Sequence, residues 1–197
     1  MKLKTALSII RKERVINLFY TPEGYQWISS GGVAYPLYGL PEMDADSLAV
    51  LLDISEKEKS KHHFVVGVSP SDISFKDYID AERKLPMEGL VSIGYGGSIL
   101  YPARTSEGLR FFDPTYLRPI TEEYEIFERE SQNGIYLAVK TGFLLAAIIM
   151  PKNVLEEDLA HRLENVLNSL KDSIEKKEAS EIPGFNVDLN TGEIIEE

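Results

Sequence analysis

The chain has 197 residues, of which 43% are apolar and 27% charged, and its formal net charge is −11. These values are typical of a folded globular protein and argue against a largely disordered chain. Cysteine is absent, which excludes disulfides, thiolate catalysis and cysteine-ligated metals and favours a cytoplasmic setting. The acidic charge repels phosphate groups, so we expect neither nucleic-acid binding nor attachment to acidic membranes.

The first part of the chain predicts one helix and then a three-stranded meander. Residues 2–12 carry apolar side chains at helical spacing. Three strand-like segments follow, with turns rich in glycine and proline between them: 15–20, 25–29 and 33–38. Because Pro36 has no N–H, we expect the third strand to lie at an edge of its sheet or to contain a bulge.

The next part predicts two helices with a strand between them. Asp44 is placed to cap the first helix. His62 and His63 then introduce an apolar, strand-like run at 64–68. A second helix is predicted between Ser71 and Pro86, where four apolar side chains recur: Phe75, Tyr78, Ile79 and Ala81.

The last part predicts hairpins and one long helix. Asn133-Gly134 is the strongest hairpin signal in the chain. The run Phe143 to Met150 is apolar throughout, as expected for a central strand covered on both faces. A helix is predicted from about Val154 to Lys177 by a stripe of seven apolar residues: Leu155, Leu159, Leu163, Val166, Leu167, Leu170 and Ile174. Its far end outruns a small sheet, so we expect it to pair with a partner chain.

The spacing of turn residues recurs along the chain. Gly24, Gly32 and Pro41 are eight and nine positions apart, and Gly134, Gly142 and Pro151 repeat these separations 110 residues later. Either a β-β-β-α unit is duplicated over 14–54 and 124–164, or the similar spacing of the hairpin turns is a coincidence.

The overall prediction is an α+β fold of antiparallel meanders packed against helices. It forms a single domain over 1–178 and ends in a mobile acidic tail over 179–197.

The sequence contains few residues suited to catalysis, and it predicts no metal site and no cofactor. His62 and His63 are adjacent, so their side chains point apart and rarely share one metal ion. Helix capping accounts for the Asp44-Ala-Asp46 pair. What remains is a hydrolase hypothesis, in which His62 or His63 works with a nearby carboxylate.

Aromatic residues cluster beside the glycine turns. Tyrosine and tryptophan in this setting indicate either a recognition surface for protein or ordinary packing in strands. The candidate binding residues are the aromatic side chains together with the two histidines: Trp27, Tyr35, Tyr38, Tyr95, Tyr101, His62 and His63.

Two stretches carry a resemblance, WISSGGVAYPLYGLPEMDADSLAVLLDI from Trp27 to Ile54 and GIYLAVKTGFLLAAIIMP from Gly134 to Pro151. Together they resemble uncharacterised proteins of about this length encoded by phages and prophages of Firmicutes. The resemblance implies a bacterial or phage cytoplasmic setting and no particular activity.

The leading functional prediction is a non-catalytic interaction protein that binds another protein or forms a homodimer through its long helix. The hydrolase described above is one alternative. The other is an acidic protein that imitates DNA, or a nucleic-acid-associated accessory protein that uses the basic N-terminus, where residues 1–14 hold five Lys or Arg against Glu13 alone.

Overall fold

The computed structural model describes residues 1–86, 92–95, 97–154, 157–180, 186–187 and 194–195. The chain forms two compact units, Met1–Val154 and Leu155–Glu197. The α+β class predicted from the sequence is confirmed, because a large, mostly antiparallel sheet and a smaller sheet occur together with helices.

The helices are α1 (Leu3–Ile10), α2 (Ala45–Leu51), α3 (Glu56–Lys59) and α4 (Glu157–Ser180), and a 3-10 turn covers Pro114–Leu117. The strands in the first half are β1 (Val15–Tyr20), β2 (Gln26–Ser30), β3 (Val33–Pro36), β4 (His63–Val68), β5 (Arg83–Lys84) and β6 (Ile93–Tyr95). The later strands are β7 (Ser98–Thr105), β8 (Gly108–Phe112), β9 (Glu125–Ser131), β10 (Gly134–Thr141), β11 (Leu144–Ile149), β12 (Asn186–Val187) and β13 (Ile194–Ile195).

The large sheet has the strand order β4-β1-β2-β3-β11-β10-β9-β5. Two antiparallel meanders, β1-β2-β3 and β9-β10-β11, lie side by side in it. They meet where their third strands pair, with Val33 opposite Ile149 and Ala34 opposite Ile148. Within the described strands of this sheet, β1 and β4 form the one parallel pair. The strand predicted over 143–150 forms as β11 and lies between β3 and β10, so it is central in the sheet, as expected.

The two meanders agree in more than strand order. β1 and β9 begin 110 residues apart, and their first five residues show the same succession of exposed, buried and half-buried positions. The predicted turns also form, since Gly31, Gly32 and Gly134 all have positive φ. A positive φ favours glycine because it lacks a Cβ atom. Duplication of the unit stays a prediction.

The expected edge position of Pro36 is wrong. β3 lies between β2 and β11, and its pairing with β2 is regular from Trp27–Pro36 to Ser30–Val33. The proline is tolerated because it occupies the last position of the strand. It lies beyond Val33 and Ala34, which make the ladder with β11, so its missing N–H removes no bond on that side.

The large sheet buries apolar side chains on both faces. On the helical face, strand residues such as Leu18, Ile28 and Leu137 pack with α1, α2 and the β7-β8 hairpin. On the opposite face, residues 69–82, called here the covering segment, contribute Ile73 and Phe75 to a smaller core. The strand residues of that smaller core are Phe19, Trp27, Ala34, Tyr136, Ala138, Leu145 and Ile148.

The helix predicted between Ser71 and Pro86 is wrong. The covering segment consists of turns and irregular backbone, followed by the two residues of β5. Its carbonyl groups at Ser74, Lys76 and Asp77 accept hydrogen bonds from the buried guanidinium of Arg129. These tertiary bonds satisfy the backbone in place of the intrahelical bonds that the apolar spacing suggested.

The second unit contains α4, which confirms the predicted long helix. Beyond it, Asn186 pairs with Ile195 and Val187 with Ile194 in a two-stranded ladder. Most of the predicted acidic tail over 179–197 lies outside the described residues. Among the helices described, none combines the length and apolar character that a membrane crossing requires.

Candidate functional site

The predicted aromatic set does not form one surface. Trp27 and Tyr35 are fully buried, and the Tyr35 hydroxyl donates a hydrogen bond to the Tyr116 carbonyl at 2.8 Å. Tyr101 is half-buried and packs edge-to-face on Phe112. The side chain of Tyr95 lies outside the described part of the chain. Among the tyrosines of this set whose side chains are described, Tyr38 is the one that faces solvent, with 48% of its surface exposed.

Tyr38 is one wall of a cleft, called here the aromatic cleft. Its other apolar walls are Tyr25, Phe75 and Leu144, and its volume is about 530 Å³. The rings of Tyr25 and Tyr38 are nearly perpendicular, at 88°, with their centroids 5.7 Å apart. Three charged residues complete the lining: Glu23, Lys76 and Asp77. A cleft of this size suits a large side chain or a small molecule.

Local structure holds each wall of the aromatic cleft in place. Tyr25 follows Gly24, whose positive φ closes the turn between β1 and β2. The ring of Phe75 is fixed edge-to-face against Trp27, with a centroid distance of 5.0 Å. Asp77 is fixed because its Oδ1 accepts a hydrogen bond from the Leu145 N–H at 2.8 Å. The buried Trp27 therefore supports the cleft from below without lining it.

Burial dominates the electrostatics of Tyr38. Loss of solvent raises the pKa of its hydroxyl to about 12, with smaller contributions from the nearby Asp77 carboxylate and from Tyr25. The phenol is thus neutral at physiological pH and can act as a hydrogen-bond donor.

A second groove lies on the other side of Tyr38 and Leu144. It has a volume of about 310 Å³ and shares both residues with the aromatic cleft. Its lining is mostly apolar and includes Leu3, Leu37 and Ile120, with Glu122 as its charged side chain. Tyr38 and Leu144 therefore form a wall that is common to two neighbouring depressions.

The two histidines stand at the start of β4, away from both depressions. The Nδ1 of His62 lies 3.0 Å from the Glu13 carbonyl oxygen, and its ring is tilted against Phe64. His63 is exposed, and its backbone N–H donates to the Arg14 carbonyl. Within the described residues, no carboxylate forms an ion pair with either ring. The hydrolase hypothesis therefore gains no support from this geometry.

A buried ion cluster anchors the covering segment. Arg129 is fully buried and donates two hydrogen bonds to Glu82, at 2.9 and 2.6 Å, while Lys140 donates to the other oxygen of that carboxylate. The Lys140 ammonium also lies 4.6 Å from the ring centroid of Phe127. Since every charge in this cluster has a partner, we interpret it as structural.

A second buried carboxylate, that of Glu128, lies on the helical face of β9, the strand that also carries Arg129. Glu128 accepts hydrogen bonds from the Ser106 N–H at 2.8 Å and from the Arg83 guanidinium. Burial raises the pKa of the Glu128 carboxyl, but these hydrogen bonds outweigh burial and hold the pKa below its ordinary value. The carboxylate consequently fixes the β7-β8 turn to β9 in its ionised form.

Sequence reasoning missed these charged anchors. Glu128 and Arg129 lie in β9, which holds four charged residues, and Lys140 is the one charge of the otherwise largely apolar β10; alternation places these side chains toward one covered face or the other. A charged residue in a strand that is covered on both faces signals a buried ion pair, because a charged side chain is buried only when it is paired. The sequence does not reveal the partners of these side chains, Glu82 and Arg83, because they lie more than 40 residues away in the chain.

The second unit presents a different surface, the apolar stripe of α4. Five side chains along one side of the helix are between 37% and 58% exposed: Leu163, Val166, Leu167, Leu170 and Ile174. Four of them follow the spacing four, three, four along the chain. This is the hydrophobic repeat by which helices pair in coiled coils.

No group of three or more potential metal ligands occurs in the part of the chain that the structure describes. Comparison of the chain with family models, with curated proteins and with solved structures found no match.

Proposed function

We propose that this chain is a non-catalytic interaction protein that self-associates through α4. The observation that carries the proposal is the exposed apolar stripe of that helix. Exposed apolar patches of this kind mark interaction surfaces in soluble proteins. Burial of the stripe against an equivalent helix removes these side chains from water, at roughly 25 cal/mol per Å² of apolar area.

The partner we propose is a second copy of the same helix, in antiparallel orientation. Leu163, Leu167, Leu170 and Ile174 provide about two heptads of core positions. Glu164 and Lys171 each follow one of these positions and are seven residues apart. In an antiparallel pair, Glu164 of one copy lies near Lys171 of the other, so the flanking charges attract.

Sedimentation velocity over a range of concentrations tests this proposal. We expect the wild-type chain to shift from monomer to dimer as concentration rises, and the double variant Leu167→Glu/Leu170→Glu to remain a monomer. Val50→Glu is the matched control, since Val50 is 79% exposed on α2, and it should dimerise like the wild type. A wild-type chain that stays monomeric at high concentration contradicts the proposal.

The setting of this function is part of the same proposal. We place the protein in the cytoplasm of a bacterium, with a phage or prophage origin, on the strength of its lack of cysteine and its resemblance to phage-encoded proteins. The DNA-imitating alternative needs carboxylates in regular rows. That alternative is favoured if duplex DNA competes with this chain for binding to a DNA-binding protein and the chain does not self-associate.

A further inference from the structure

We propose that the aromatic cleft binds a cationic side chain, arginine or lysine, from an extended segment of a partner polypeptide. The site lies wholly within Met1–Val154, so it is independent of self-association through α4. The inference rests on three features of the cleft: its perpendicular tyrosine rings, its carboxylates and the apolar groove beside it.

The tyrosine pair supplies faces to which a cation is attracted. Tyr25 is 55% exposed and Tyr38 is 48% exposed, so both rings remain accessible within the cleft. The rings are nearly perpendicular, with centroids 5.7 Å apart, so a cation that enters the cleft is stabilised by a ring face and not by a ring edge, which is the positive side of the ring. The face of an aromatic ring is its negative side, and it attracts ammonium and guanidinium groups.

Charge supports the same ligand. Glu23 and Asp77 bring two carboxylates to the lining, against the single ammonium of Lys76. Asp77 is held in place by the Leu145 N–H, so its charge is positioned before any ligand arrives. Lys76 opposes a cationic ligand, which provides a test of sign: its removal should strengthen binding.

The neighbouring groove indicates a polypeptide and not a free amine. The groove is mostly apolar and lies across the wall formed by Tyr38 and Leu144. Successive side chains of an extended segment point in opposite directions, and the backbone advances about 3.3 Å per residue. A segment that crosses the wall therefore places a cationic side chain in the cleft and an apolar one in the groove.

The test uses three probes and the full chain, with Trp27 as the reporter because it is the single tryptophan and lies against Tyr38 and Phe75. The probes are acetyl-Leu-Arg-Leu-amide, the same peptide with norleucine in place of arginine, and arginine amide. We expect saturable binding of the arginine peptide, at least about 10-fold tighter than that of the norleucine peptide or of arginine amide.

Substitutions assign the binding to the cleft. Tyr25→Leu should weaken binding of the arginine peptide about 3- to 20-fold, and Lys76→Gln should strengthen it. Tyr124→Leu, which removes a partly exposed tyrosine outside the lining, should leave it unchanged.

Three results overturn the proposal. Equal affinity for the arginine and norleucine peptides shows an apolar groove without cation recognition. Equal affinity for arginine amide and the arginine peptide removes the polypeptide from the proposal. Absence of saturable binding with a normally folded chain rejects the site. This result holds whether the chain is a monomer or a dimer, so it does not depend on self-association through α4.

Discussion

The two compact units treat their apolar side chains in opposite ways. In Met1–Val154 the large sheet is apolar on both faces, and both faces are covered by the same chain. In the second unit, α4 exposes a stripe of five apolar residues. The difference separates two kinds of apolar surface along the sequence: the first unit buries its own core, and the second exposes the stripe that we propose as an association surface.

A similar contrast exists within the first unit. The helical face of the sheet is covered by helices and a hairpin through apolar contacts. The opposite face is covered by an irregular segment whose carbonyl groups are held by Arg129. Apolar spacing specifies the first kind of cover, while a buried charge and its hydrogen bonds specify the second.

The largest effect on stability is expected for Arg129→Met. This change removes the guanidinium, leaves the buried Glu82 with Lys140 as its remaining ion-pair partner, and deprives three carbonyl groups of their donor. We expect a loss of about 3–5 kcal/mol in the free energy of unfolding, measured by urea denaturation with Trp27 fluorescence.

The matched control is Lys84→Met, which breaks the exposed ion pair between Lys84 and Glu125. Exposed pairs contribute at most about 1 kcal/mol. If both variants lose the same free energy, the covering segment does not depend on the buried cluster.

A smaller effect is expected for Tyr35→Phe. The buried hydroxyl of Tyr35 donates to the Tyr116 carbonyl, and its removal leaves that carbonyl without this donor. We expect a loss of about 1–2 kcal/mol in urea denaturation. Tyr124→Phe, at an exposed position, should change nothing measurable. A Tyr35→Phe chain as stable as the wild type contradicts the contribution assigned to this hydrogen bond.

Alkaline titration distinguishes Tyr38 from an exposed tyrosine. Its pKa is raised to about 12 from the ordinary value of 10, mainly by burial, so the folded state favours the protonated form. The resulting stabilisation is complete below pH 10 and is lost as the pH rises toward 12. We expect the stability curves of the wild type and Tyr38→Phe to diverge between these values. Curves that stay parallel there contradict the raised pKa.

The smallest effect on the stability of the first unit is expected for a substitution in α4. Leu170→Glu changes an exposed position of α4, so the unfolding free energy of the first unit, followed by Trp27 fluorescence in dilute solution, should stay within about 0.5 kcal/mol of the wild type. A loss of several kcal/mol would show that the stripe belongs to the core of its own chain.

Local signals in the sequence predict the hairpin turns and the N-terminal cap of α2. Asn133-Gly134 and Gly31-Gly32 form turns because glycine accepts the positive φ that they require. Asp44 caps α2 by accepting a hydrogen bond from the Ser47 N–H at 2.8 Å. These features depend on a few adjacent residues, which is why the sequence reveals them.

Features that depend on distant residues were not predictable. The covering segment has an apolar spacing close to that of a helix, but distant strands hold its backbone: its carbonyl groups accept hydrogen bonds from Arg129 on β9, and its Ser74 N–H donates to the Tyr136 hydroxyl on β10. The sequence indicates one wall of the aromatic cleft and not the others. Tyr38 was identified beside a glycine turn, but Phe75 and Asp77 come from the segment whose structure was predicted wrongly.

Cysteine cross-linking tests the central claim, that α4 pairs with a second copy of itself. The chain contains no cysteine, so a single introduced thiol reports on one position. Leu167→Cys lies near the centre of the stripe and should form a disulfide-linked dimer under mild oxidation, whereas Val50→Cys on α2 should not. Lys176→Cys should also fail, because antiparallel pairing about the centre of the stripe separates the two thiols by about 20 Å along the helix axis. Absence of the Leu167→Cys dimer, or equal cross-linking at all three positions, would contradict the account.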